Sequence, residues 1–172
     1  MSSLLLRLFF ILAITFCVPQ VNVHIAAQEP KWRQIVVLTS TRMDVERLLG
    51  KSRSSGFDGV YDFEEGHLFV EYTIFNFCEN GKTFGWNVRK ETVTGIVFSP
   101  RHGPLFSSLN LDLKRFTTVQ ESPCCPDLIS YINKEEGVAY VVNPDGTVNA
   151  IRSFPSSQQD QLRCGTKPKL NP

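Results

Sequence analysis

The chain carries almost no net charge. Its 18 Lys and Arg against 17 Asp and Glu leave a formal +1, and Arg7, in a leader without acidic residues, accounts for it. A neutral chain lacks the basic footprint that drives non-specific nucleic-acid binding, and it has no polybasic run to favour an anionic membrane. A long apolar run is missing too. Residues 8–18 are apolar but fall well short of the roughly 20 residues that a spanning helix needs.

Motifs of catalysis are equally scarce. There is no Gly-x-Ser-x-Gly elbow and no phosphate-cradling Gly-x-x-x-x-Gly-Lys loop. Beyond the leader the only histidines are His67 and His102, neither beside a recognisable nucleophile. The cysteines form no Cys-x-x-Cys pair, which removes the usual zinc spacing. Glu64-Glu65 and Glu135-Glu136 each precede a glycine, where solvated turn residues are expected, and adjacent carboxylates do not converge on one reacting atom. The segment from Asn143 to Gly146 lacks the further oxygen ligands and terminal acid of a calcium loop. Composition and motifs therefore predict a non-enzyme with no cofactor and no metal.

What is present begins with residues 1–27: one early cation, the apolar run, Pro19 and a small-residue site at Ala26-Ala27. This pattern predicts a secretory signal peptide, leaving residues 28–172 as a single exported domain, periplasmic or secreted. In that setting Cys78, Cys124, Cys125 and Cys164, an even number, predict two disulfides. Neighbouring Cα atoms lie about 3.8 Å apart whereas disulfides prefer about 5.5–6 Å, so Cys124 and Cys125 are poor mutual partners. Each is expected to pair with a different one of Cys78 and Cys164, the order left open.

Residues 32–38, β-branched at Ile35, Val36 and Val37, predict a strand or an extended lead-in. Thr41 and Asp44 then stand at capping-box spacing. Val45, Leu48 and Leu49 share one helical face, and Gly50 ends the helix. Arg42 falls on the polar side and reads as solvated. Strands are predicted at 60–63, 68–75, 86–88, 93–98, 116–119 and 131–132, with Leu68, Val70, Tyr72 and Ile74 on one side of a pleat. The fold class that results is α+β, a short helix packed on an antiparallel sheet.

A weak internal echo accompanies these strands. Glu135-Glu136-Gly137 and residues 138–142 repeat Glu64-Glu65-Gly66 and residues 67–71. Val148, Ile151 and Pro155 repeat Val93, Ile96 and Pro100. The halves run about 35–100 and 109–164, and the first holds an insertion around residues 78–86. Phe75, Phe77, Phe84 and Trp86 bracket its polar tip, which includes Glu79 and Lys82. Exposed aromatics there would suit a protein partner, so Phe77, Glu79, Lys82, Phe84 and Trp86 are the candidate partner surface. The alternative is that these aromatics are sheet core.

Residues 40–50, Ser-Thr-Arg-x-Asp-Val-x-x-Leu-Leu-Gly, followed by a loop and antiparallel strands, resemble the SmpA/OmlA (BamE-like) lipoproteins of outer-membrane assembly. They also resemble the tandem-repeat β-lactamase inhibitor proteins built on a similar unit. The resemblance spans residues 35 to about 100 and implies architecture. Taken whole, the chain resembles exported proteins of environmental bacteria. The expected role is a non-catalytic, exported binding or envelope-structural protein with an extracytoplasmic protein partner. An inhibitor of an extracytoplasmic enzyme that uses the Cys78 loop as its probe is the alternative, and a hydrolase with a dispersed site the third.

Overall fold

The computed structural model describes residues 30–54, 56–78, 85–121, 125 and 127–165. The leader expected at 1–27, and with it Glu79, Lys82, Phe84 and Cys124, lie outside the described residues.

The helix forms where its cap and periodicity place it. Thr41 is the N-cap of α1 (Arg42–Leu49): its hydroxyl accepts from the Asp44 amide while the Asp44 carboxylate accepts from the Thr41 N–H at 2.9 Å. Gly50, at φ +89°, closes the other end. Val45 is fully buried, and Leu48 and Leu49 pack at the margin of the same core. A helix of eight residues is marginal in water, so its apolar face needs the sheet. The hydrogen bonds from Thr41 and the nearby Arg47 guanidinium hold the Asp44 carboxyl below its ordinary value. A folded-state pKa lowered in this way contributes stability above the unfolded pKa, and the contribution is lost as pH falls through the folded value. Loss of the capping hydroxyl in Thr41→Ala should cost about 1 kcal/mol in urea unfolding at neutral pH, and because that hydroxyl also helps hold the Asp44 carboxyl down, the difference from wild type should shrink in strong acid.

Seven strands make one open antiparallel sheet: β1 (Gly59–Asp62), β2 (Gly66–Tyr72), β3 (Val93–Pro100), β4 (Thr117–Gln120), β5 (Ile129–Asn133), β6 (Val138–Val142) and β7 (Val148–Ser153). Their spatial order is β1-β2-β3-β7-β6-β5-β4. Alternation buries Leu68, Val70 and Tyr72 on β2, opposite Phe98, Ile96 and Val93 on β3. The helix and the segment before it cover this face, with Trp32 stacked on Phe98 at 4.7 Å between ring centroids. Beyond the β3–β7 seam, Ala139, Val141, Val148 and Ala150 are buried. Phe106 packs against Tyr131 and Tyr140.

Several local expectations are corrected. Residues 31–34 form a 3-10 turn rather than strand, because Trp32 folds inward onto Phe98. Ile74 does not continue the pleat: β2 ends at Tyr72, Thr73 turns away to bond Glu91 and Thr92, and Ile74 is exposed. Residues 86–88 are not a strand, since Trp86 makes a single bridge to Arg163. Arg42 is not solvated. Its guanidinium stacks 4.3 Å from the centre of the Tyr72 ring and donates to the Phe57 carbonyl at 2.7 Å, which ties the 51–58 connection to the helix.

The sheet also shows what the two Glu-Glu-Gly segments do. Each glycine is buried at the start of a strand, Gly66 on β2 and Gly137 just ahead of β6. A Cβ on Gly66 would meet the Ser99 carbonyl oxygen, and one on Gly137 the Phe154 carbonyl oxygen. The register between the halves is not identical. Carried over by the sequence echo, the Leu68–Phe98 pair would set Ala139 opposite Ser153, whereas Ser153 stands opposite Val138. A shift of one residue exchanges the two faces of a strand, so the halves bury opposite faces of the sheet on the two sides of the seam.

Candidate functional site

The site is assembled at the end of β2 by a segment from the far end of the chain. After β7 the backbone forms a 3-10 turn (Ser157–Leu162) and then reaches back to the β2–β3 connection. Asn87 N–H donates to the Leu162 carbonyl at 2.6 Å, and Cys164 N–H to the Gly85 carbonyl at 2.9 Å. The Arg163 guanidinium lies 4.6 Å from the centre of the Trp86 ring. Cys164, buried, is bonded to Cys78 with Cα atoms 5.4 Å apart.

This pairing corrects the expected one, in which Cys78 and Cys164 each took one of the adjacent cysteines. The strand order puts the C-terminal strap beside the β2–β3 connection, while exposed Cys125 lies beyond β4 at the other end of the sheet. The bond fits an oxidising, extracytoplasmic setting. Among the described residues no helix is long and apolar enough to cross a membrane.

Beside the disulfide is an open cleft of about 310 Å³. Phe75, Phe77, Trp86 and the Cys78–Cys164 bond form its apolar wall, and Glu71, Thr73 and Thr94 its polar edge. Gly95 makes room for the Glu71 side chain, whose carboxylate lies where a Cβ would stand. Tyr72 is pushed well above the ordinary phenol range, first by burial and then by the neighbouring Tyr61. The two hydroxyls lie close together without a well-formed hydrogen bond between them. The Tyr72 ring lies on the other face of β2, in the core beneath Arg42, and is held neutral.

Of the partner-surface residues expected from sequence, Phe77 is 55% exposed and faces the cleft, whereas Trp86 is half-buried against the core. Ile74, exposed at 44%, was missed as a site residue, and Phe75, exposed at 41%, was read only as one of the aromatics bracketing the tip. The apparent β2 alternation hid Ile74. No residue before it signals the end of pairing, since Thr73 is itself a strand former. His67 stands apart, with Nδ1 2.5 Å from Asp62 Oδ1 at the β1–β2 turn, and Asp62 also pairs with Arg53. Glu135 and Glu136 pair with Arg115.

Among the described residues an open seven-stranded antiparallel sheet with one short helix gives the fold its α+β class. Among solved structures it is similar to YjgB, a DUF4309 family protein from Bacillus subtilis subsp. subtilis str. 168. The identity is 15%, the match covers 71% of this chain and 82% of that one, and the TM-score is 0.43. No protein-family model matches the chain, and no curated protein does. The likeness of residues 40–50 to the SmpA/OmlA and inhibitor units thus remains a likeness of one motif.

Proposed function

We propose that the protein is a non-catalytic extracytoplasmic binding protein whose contact surface is the cleft beside the Cys78–Cys164 bond. One observation carries the reading: of the exposed large apolar residues, Ile74, Phe75 and Phe77 lie together around one apolar concavity. Clustered exposed aromatics around a concavity favour contact with an apolar side chain of another protein. The disulfide and the Trp86–Arg163 stack hold the wall in place, which lowers the entropy lost on binding.

The test uses the full chain and the fluorescent apolar probe 1-anilinonaphthalene-8-sulfonate. The native protein should bind the probe, Phe77→Ser should weaken that binding at least threefold with the thermal midpoint nearly unchanged, and partners captured from the extracytoplasmic fraction should be lost with the same substitution. A Phe77→Ser bait that keeps the probe and every captured protein would overturn the reading.

A further inference from the structure

The cleft beside the disulfide carries one charge. Among the described residues that line it, Glu71 alone is charged, and the others are aromatic, aliphatic, threonine, glycine or disulfide. The backbone places that carboxylate in two ways. Glu71 is exposed on β2 opposite Gly95 of β3, where a Cβ would collide with Glu71 Oε2, so the side chain lies across β3 in room that only glycine leaves. The register also slips between Glu71 and Tyr72, with Thr94 as the extra residue on β3, and Thr94 lines the cleft too. A bulge of this kind re-aims the side chains beside it. An exposed acid on a sheet is commonly answered by a cation on the next strand. Here glycine stands in that place, and no Lys, Arg or His among the described residues makes an ion pair with Glu71. Arg163, stacked on Trp86, does not line the cleft and lies 3.6 Å from Asp160.

We infer that the cleft takes an arginine side chain of the partner protein, with its guanidinium on the Glu71 carboxylate and its stem along Phe77 and Trp86. The inference rests on the reading of this cleft as the contact surface and names what enters it. A guanidinium suits the lining better than an ammonium, because it is planar and weakly hydrated and can stack on an aromatic ring while it pairs with a carboxylate. The chain makes that combination twice within itself. Arg42 lies over the Tyr72 ring beside Glu91, and Arg163 over the Trp86 ring beside Asp160. The cleft, of about 310 Å³, is at the small end of ligand pockets, a size for a side chain rather than a cofactor.

The test titrates the full chain with acetyl-Leu-Arg-Leu-amide and with its citrulline analogue, which keeps the shape but carries a neutral urea, and follows the backbone amides by NMR. The arginine peptide should bind about five-fold more tightly or better, and should shift the amides of Glu71, Thr94 and Gly95. Its advantage should shrink as salt is raised. Glu71→Gln should bring the two peptides level with the thermal midpoint nearly unchanged, and Glu71→Asp should keep part of the preference. Equal binding of the two peptides by the wild type overturns the inference, as does a preference that survives Glu71→Gln. In either case the apolar contact surface still stands if Phe77→Ser weakens both peptides. No binding of either peptide up to about 10 mM also overturns the inference. The contact surface falls with it only if 1-anilinonaphthalene-8-sulfonate is unbound as well.

Discussion

Replacing Cys78 and Cys164 together by serine should lower the unfolding free energy by about 3–5 kcal/mol. The bond closes a loop of 86 residues, half the chain, and constraining an unfolded loop of that length contributes about 4–5 kcal/mol by chain entropy. Against a total of roughly 5–15 kcal/mol for a domain, this is a large share. Among the described residues the strap that carries Cys164 is also held by two backbone hydrogen bonds, at Asn87 and Cys164, by the Arg163–Trp86 stack and by Leu162 at the margin of the core. Without the covalent bond the strap should open ahead of the sheet and take one wall of the cleft with it. Urea unfolding with and without a thiol reductant measures the effect. A wild-type midpoint that reductant does not move, with the bond shown by mass to be broken, would remove the disulfide from any structural role.

Gly137→Ala should cost about 2–4 kcal/mol, and more than Gly66→Ala. Both glycines lie against the backbone of the strand that follows, and a methyl group at either would have to push a carbonyl aside. Overpacking of that kind costs about 1–3 kcal/mol. Gly137 carries a second penalty, since its φ of +66° places it in the left-handed region, which costs a residue with a Cβ roughly 1–2 kcal/mol. Gly66 is not in that region. Equal losses for the two variants would show that close approach alone governs both sites. A Gly137→Ala protein as stable as wild type would sink the explanation.

The helix was the most legible part of the chain because its determinants are local. Thr41, Asp44 and Gly50 act on their own neighbours, and the Val45, Leu48 and Leu49 face is set by helical period alone. Most strands were legible for the same reason, as the period of two in Leu68, Val70 and Tyr72 shows. Alternation did not reveal where pairing stops. Ile74 keeps the pattern of β2 but has no strand beside it, because the Thr73 N–H bonds to the Thr92 carbonyl and the chain turns. Arg42 reads as solvated from its helical position. Its surroundings, Tyr72 and the carbonyl of Phe57, come from residues 15 and more positions away.

By itself the sequence determined a neutral chain with a capped helix and antiparallel strands, because charge, capping and side-chain period act over a few residues. Only the tertiary structure decided which cysteines bond, which glycines pack against backbone and which aromatics stay in contact with solvent. Those outcomes depend on strand order: β7 pairs with β3, so the C-terminal strap falls beside Cys78. Strand order is set by the burial and closure of the whole sheet, a balance that no local window of residues contains.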